Sequence, residues 1–280
     1  MVLGLDHNFV VEPATRVKKV AVVGGGPGGM EAALMAAKRG HKVTLYERTG
    51  QLGGQLGHSD WSPFKWPLRE FKDYMAYQVE KSAIDLRMGV EATPEMLRDE
   101  DYDAIILATG AEHVMPDIPG ADGPKVWKPL EVYGHEKELG KNVVVIGGSE
   151  TGMETALYLA WMGHEVTDLT RQRILAHDAQ PVHFRENFEH DWESRDNFHY
   201  FTEVKTTEIG DGYVKFVDKE GKEHKLECDD VVACGGLIPR NERALDFAAV
   251  TDTFRIIGDA RSPKNVRTAL KNAYTTACML

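Results

Sequence analysis

The residues of this chain best suited to chemistry are glycines. Gly24, Gly26 and Gly29 stand at G-x-G-x-x-G spacing directly after the apolar run Val20–Val23, with Pro27 and Gly28 between the second and third. In such a turn the first glycine permits the tight bend and the second lets the backbone approach a pyrophosphate. The third lets the following helix pack closely on the strand, and the helix N-terminus offers N–H groups and a positive dipole end to the anion. A second strand, Lys42 to Tyr46, ends on Glu47, with Arg48 beside it. An acid at that point can accept hydrogen bonds from ribose hydroxyls. The pattern then recurs, with Val143–Ile146 running into Gly147, Gly148, Ser149, Glu150, Thr151 and Gly152. A chain that builds this unit twice is equipped for two nucleotides, and two dinucleotides in one chain imply redox chemistry.

The second copy departs from the first in two places. Ser149 stands at the middle glycine position, where its side chain crowds a diphosphate but could also donate a hydrogen bond to it. Thr170 stands where Glu47 sits in the first copy, followed by Arg171 and Arg173. Losing the acid removes repulsion against a 2′-phosphate, and the arginines could clamp that group bidentately, which favours NADPH over NADH. Two plainer readings stay open: the arginines are solvated loop charges, or the second copy keeps the fold and has lost its ligand.

Three further segments carry a family resemblance. Arg48–Leu56 reads RTGQLGGQL, Asp103–Ala111 reads DAIILATGA, and Ile256–Ala260 reads IIGDA before a closing helix from about Asn265. With the two turns, and in this order, they resemble the FAD/NAD(P) half of the family containing 2,4-dienoyl-CoA reductase, 2-enoate reductases and trimethylamine dehydrogenase. The resemblance spans the chain from Val17 onward. It implies that Gly24, Gly26 and Gly29 hold the FAD diphosphate and Glu47 the adenosine ribose. It places Gly54 and Gln55 along the diphosphate, and Ala108, Thr109, Gly110 and Ala111 near the adenine half. Gly258 and Asp259 would meet the ribityl chain, although a Gly-Asp pair is also an ordinary turn. In VVACGGLIPRN, from Val231 to Asn241, Gly235 and Gly236 would let the chain pass close to the nicotinamide cofactor. Full-length relatives carry, before this region, a TIM barrel with FMN and a cysteine cluster for a [4Fe–4S] centre. This sequence supplies neither, which leaves a stand-alone subunit, a divergent relative or an excised fragment.

The implied architecture is α/β, with two Rossmann-like dinucleotide-binding domains and the NAD(P) domain inserted into the FAD domain. Residues 1–16 read as a linker or N-terminal extension, 17–124 as the first FAD segment, 125–230 as the NAD(P) domain and 231–280 as the second FAD segment. Pro119-Gly120 and Gly123-Pro124 mark the crossing. Tyr200–Glu227 alternates polar and apolar residues around Gly210-Asp211-Gly212 and Glu220-Gly221, as antiparallel hairpins do.

Composition narrows the partners. Lys plus Arg is 33 against 44 for Asp plus Glu, a net charge of −11 that argues against nucleic acid. No run approaches a transmembrane span, and the N-terminus lacks a signal-peptide layout, so cytoplasm is expected. Three cysteines, Cys228, Cys234 and Cys278, form no C-x-x-C and are too few for an iron–sulfur cluster, so no redox dithiol is expected. His177, His183, His190 and His199 match no compact metal-ligand spacing. The stretch WSPFKWP, Trp61 to Pro67, reads either as aromatics plugging the core or as a hydrophobic contact for a partner or the flavin edge.

The leading expectation is an FAD-dependent NAD(P)H oxidoreductase subunit that passes electrons to a partner reductase or a small acceptor. Hydride transfer needs alignment of two rings rather than a side-chain acid or base, so no catalytic residue is assigned. One alternative is a non-catalytic FAD- or ADP-binding docking module. Another is a flavoenzyme acting directly on a small organic substrate, with Tyr74, Tyr77, Tyr133 and His58 as available proton donors.

Overall fold

Strands buried on both faces of a parallel sheet need continuous apolar runs, and this chain provides them in two sets. The computed structural model describes residues 11–179 and 186–280. In chain order it begins with β1 (Lys19–Val23), α1 (Pro27–Lys38), β2 (Lys42–Glu47), α2 (Trp66–Lys81), β3 (Asp85–Met88), α3 (Pro94–Asp99), β4 (Ala104–Leu107) and β5 (Ala111–His113). It continues with β6 (Val126–Trp127), β7 (Asn142–Ile146), α4 (Glu150–Trp161), β8 (Glu165–Leu169), α5 (Glu186–Glu193), β9 (Phe198–Phe201), β10 (Lys205–Gly210), β11 (Tyr213–Val217), β12 (Glu223–Glu227) and β13 (Asp230–Ala233). The chain closes with β14 (Leu237–Pro239), α6 (Ala244–Ala248), β15 (Thr253–Ile256) and α7 (Val266–Cys278).

Two units result. Of the described residues, the first comprises 11–60, 64–112 and 238–280, and the second comprises 61–63, 113–179 and 186–237. The first holds a parallel sheet in the order β15-β4-β1-β2-β3. Val20 and Val22 pack on one face against Met30, Ala33 and Ala36 of α1 and Ala273 and Ala277 of α7. Ala21 and Val23 pack on the other with Leu97 and Phe247. Each fully buried valine contributes about 1.5–3 kcal/mol relative to exposure, which is why the run tolerates no polar residue. The helix α1 begins directly at Pro27, because Gly26 serves as N-cap and Pro27 suits the first helical position.

The second unit repeats the order as β6-β13-β7-β8-β9, all parallel. Here β7 corresponds to β1, β8 to β2 and β13 to β4. One face carries Val144, Ile146 and Leu169 against Ile209, Val214 and Phe216 of the antiparallel sheet β10-β11-β12. On the other face lies α4, packed on β7 and β8. Tyr200, grouped with the hairpins on sequence, instead lies in β9, which runs parallel beside β8 with Phe198 buried and Tyr200 and Phe201 exposed.

The change of unit falls between Glu112 and His113, upstream of Pro119-Gly120, and the return falls between Leu237 and Ile238, downstream of Asp230. The apolar run Val231–Ala233 belongs to the second sheet because β13 pairs along β7. At the two crossings β5 and β14 pair with each other.

Candidate functional site: two glycine turns

The first turn is shaped by backbone contacts. Gly24 adopts φ 110°, and its N–H donates to the Tyr46 carbonyl at 2.8 Å. A Cβ on Gly29 would sit 1.8 Å from the Gly24 carbonyl oxygen, so helix and turn touch backbone to backbone. A Cβ on Gly26 would meet nothing within 4 Å. The middle glycine therefore faces open space, as a cradle for a ligand requires. No side chain caps the start of α1, so its first-turn N–H groups keep their affinity for an anion.

Glu47 is buried, and its work begins within the protein. Oε2 accepts the Gly25 N–H at 2.8 Å, while Oε1 accepts the Thr49 N–H at 2.7 Å and the Thr49 hydroxyl at 2.8 Å. A carboxylate has about four acceptor sites, so roughly one is left for a ribose hydroxyl. Arg48 is exposed beside it.

The other expected residues gather around this turn. Gly53 donates its N–H to the Gly25 carbonyl at 2.9 Å, and Gly54, at φ 54°, lies so close that a Cβ would sit 3.1 Å from Gly26 Cα. Gln55 donates from Nε2 to the Ala111 carbonyl at 2.6 Å. Ala108 donates its N–H to the Val23 carbonyl, the Thr109 hydroxyl donates to the Arg240 carbonyl, and Gly110 accepts from the Arg240 N–H. Positions for added Cβ atoms on Gly28 and Gly258 lie 3.7 and 3.4 Å from the Ala269 Cβ, so one residue of α7 joins the glycine turn to the Gly-Asp turn. Asp259 accepts the Lys264 N–H at 3.1 Å, and burial holds its carboxyl above the usual carboxylate range. Ala269 and Arg240 were not legible as site residues, since neither residue type signals its role.

The second turn reproduces the first. Gly147 adopts φ 118° and donates to the Leu169 carbonyl at 2.9 Å, and a Cβ on Gly152 would sit 1.6 Å from the Gly147 carbonyl oxygen. Ser149 takes the N-cap position without a side-chain cap bond. Added Cβ atoms on Gly148 and Gly147 would meet Thr170 and Leu175, and Cys234, respectively. Thr151 accepts the Thr155 hydroxyl at its carbonyl, within α4. Thr170 is buried and its hydroxyl accepts the Gln172 N–H, whereas Arg171 and Arg173 are exposed in the loop after β8. Gly235 has a reason of its own to lack a side chain: a Cβ would lie 2.4 Å from the Val114 carbonyl oxygen. Gly236, at φ 103°, meets nothing within 4 Å.

Two acids not singled out by motif reading stand in this unit. Asp168 is fully buried on β8 with neither carboxyl oxygen hydrogen-bonded. Burial pushes its carboxyl up to about 8, and it lies close enough to the Cys234 thiol to raise that group as well, after burial itself. Asp178 accepts the Glu150 N–H at 2.7 Å. Matching the two copies would have flagged Asp168, which takes the place of the buried Leu45.

The remaining candidates are dispersed. The three cysteines are free thiols. Among the described residues no three His, Cys, Asp or Glu side chains are grouped to hold a metal ion, and His183 lies outside those residues. Trp61 and Trp66 are 56% and 53% exposed, so these tryptophans do not plug the core. Tyr74 and Tyr77 are exposed and Tyr133 is buried. Among the described residues no helix is long and apolar enough to cross a membrane.

Two parallel sheets of one strand order, each opening on a glycine turn, define a two-dinucleotide flavoprotein fold. Residues 18–256 match the pyridine nucleotide-disulphide oxidoreductase family, and the chain belongs to it, in the 2,4-dienoyl-CoA reductase-like branch that the motifs resemble. Members of this family bind FAD and a nicotinamide dinucleotide. The chain is 34% identical to bilirubin reductase of Mediterraneibacter gnavus, over 99% of this chain and 43% of that protein. It is 36% identical to NADH oxidase of Thermoanaerobacter brockii, over 95% of this chain and 42% of that protein. The solved complex of 2-naphthoyl-CoA reductase with 2-naphthoyl-CoA superposes with a TM-score of 0.91 at 31% identity, covering 97% of this chain and 41% of that one. The chain thus spans less than half the length of these relatives.

Proposed function

We propose that this chain is an FAD-dependent NAD(P)H oxidoreductase module, with FAD in the first unit and the nicotinamide dinucleotide in the second. The observation that carries this reading is the open space at Gly26 beside an uncapped helix N-terminus, with Glu47 at the end of the adjacent strand. When bound, FAD supplies the hydride acceptor and the store from which electrons leave. The chain's own residues would bind and orient it: α1 would supply N–H groups to the diphosphate, Glu47 keeps one acceptor site for the ribose, and Asp259 would hold the ribityl chain. In the second unit Gly147–Gly152 cradles the nicotinamide dinucleotide. With no C-x-x-C among its cysteines, the chain hands electrons to a barrel-bearing flavin/iron–sulfur reductase part or to a small acceptor. The free thiols suit a reducing cytoplasm.

The test is an anaerobic visible spectrum of the purified chain before and after NADPH and then NADH. A yellow protein that bleaches is the expected result; a colourless protein, or a yellow one unaffected by both, sinks the reading. Arg171 and Arg173 are assigned to the 2′-phosphate, so Arg171→Ala with Arg173→Ala lowers the NADPH-to-NADH preference about tenfold. An unchanged ratio of the two Kd values removes that assignment.

A second reading has a specific observation behind it. Asp178 already sits on the Glu150 N–H at the start of α4, as expected of a turn that keeps the fold and has given up its nucleotide.

A further inference from the structure

We propose that Asp178 is a built-in anion at the diphosphate position of the second turn, and that a nicotinamide dinucleotide binds only by displacing it. This rests on the reading of Gly147–Gly152 as a nucleotide cradle.

The loops of the two copies begin alike. In the first, the loop after β2 returns to the turn through the Gly53 N–H, which donates to the Gly25 carbonyl at 2.9 Å. In the second, the loop after β8 returns to the matching atom, with the Ala176 N–H donating to the Gly148 carbonyl at 2.8 Å. From there the copies diverge. The first loop continues through Gly54 to Gln55, whose Nε2 donates to the Ala111 carbonyl at 2.6 Å, and α1 opens on Pro27, which has no N–H. The second continues through His177 to Asp178, and α4 opens on Glu150, which has the N–H that Pro27 lacks. Asp178 Oδ1 takes that N–H at 2.7 Å. The bond satisfies one of the donors that a helix N-terminus otherwise offers to a phosphate.

A carboxylate and a diphosphate cannot share this position, since both are anions drawn to the same helix end. The loop is held by a strained residue as well: Ala176 adopts φ 48°, a left-handed conformation that disfavours any residue with a Cβ. Release of Asp178 frees the loop that also carries Arg171 and Arg173. The exposed arginines and the anion they are proposed to grip are therefore linked through one contact.

The experiment is equilibrium titration of the flavin-loaded chain with NADP+ and NAD+, which bind without turnover, together with amide hydrogen exchange at Glu150. Asp178→Ala removes the contact, and Asp178→Asn keeps an acceptor but removes the charge. Both variants are expected to bind each dinucleotide about tenfold more tightly than wild type, because a larger fraction of the protein is competent to bind. The Glu150 amide, slow to exchange in wild type, becomes fast in Asp178→Ala and slows again when NADP+ is added. Equal or weaker binding by both variants, with wild type binding well, overturns the proposal and leaves the nucleotide reading intact. Failure of wild type and both variants to bind either dinucleotide overturns the nucleotide reading and this proposal with it.

Discussion

Gly29→Ala yields a chain whose first unit is destabilised by about 3 kcal/mol or more and retains no flavin. The added Cβ would lie 1.8 Å from the Gly24 carbonyl oxygen, a backbone atom that can move only if the turn itself opens. Alanine gains about 1 kcal/mol in helix propensity over glycine, too little to offset that clash. Gly152→Ala creates the same collision in the second unit, at 1.6 Å from the Gly147 carbonyl oxygen. Gly26→Ala is the informative contrast. Gly26 has φ −71°, which alanine adopts freely, and its Cβ would point into open space. The apoprotein of Gly26→Ala should therefore unfold within about 1 kcal/mol of wild type, while FAD affinity falls tenfold or more because the methyl occupies the cradle. Denaturant unfolding of flavin-stripped protein and flavin titration measure the two effects separately. Wild-type flavin affinity in Gly26→Ala would falsify the cradle, and wild-type stability in Gly29→Ala would show that the helix does not rest on the turn.

Asp168→Asn becomes more stable than wild type as the pH rises, by about 3–4 kcal/mol between pH 5 and pH 8. Asp168 is buried on β8 without a hydrogen-bond partner, and burial pushes its carboxyl from 3.8 to about 8. Between those values the folded chain holds a proton that the unfolded chain has released. The neutral acid's contribution to stability is thus fully present below about 3.8 and is lost as the pH climbs through about 8. The neighbouring Cys234 thiol, itself held above the ordinary thiol range, stays protonated across this window and does not compensate. Asparagine carries no titrating proton, so the difference between the two stability curves slopes by up to about 1.4 kcal/mol per pH unit and flattens near pH 8–9. Urea unfolding of both proteins at pH 5, 6.5, 8 and 9 decides the matter; parallel curves would mean that Asp168 finds a partner or water when the chain is folded.

Much of the site is written locally. A turn that must pass backbone against backbone accepts only glycine, so Gly24, Gly29, Gly147 and Gly152 announce themselves by spacing. Strands covered on both faces must be apolar throughout, so Val20–Val23 and Val143–Ile146 are equally plain. Glu47 was legible as the acid ending its strand, but its bonds to Gly25 and Thr49 were not, because they join residues that only the turn brings together. Ala269 gives no sign in sequence of meeting both Gly28 and Gly258, since an alanine on a helix face is the least informative of residues.

The two βαβ units, their order and their family are already specified by residue spacing and apolar runs, because these are constraints on neighbouring residues. Packing sets the rest: Val231–Ala233 completes the second sheet, Asp168 is buried without a hydrogen-bond partner, and Asp178 closes on the start of α4. Each of these depends on which distant segment the folded chain lays alongside. Strand pairing, burial and an anion's choice of donor are properties of the packed chain, and no local pattern of residue types encodes them.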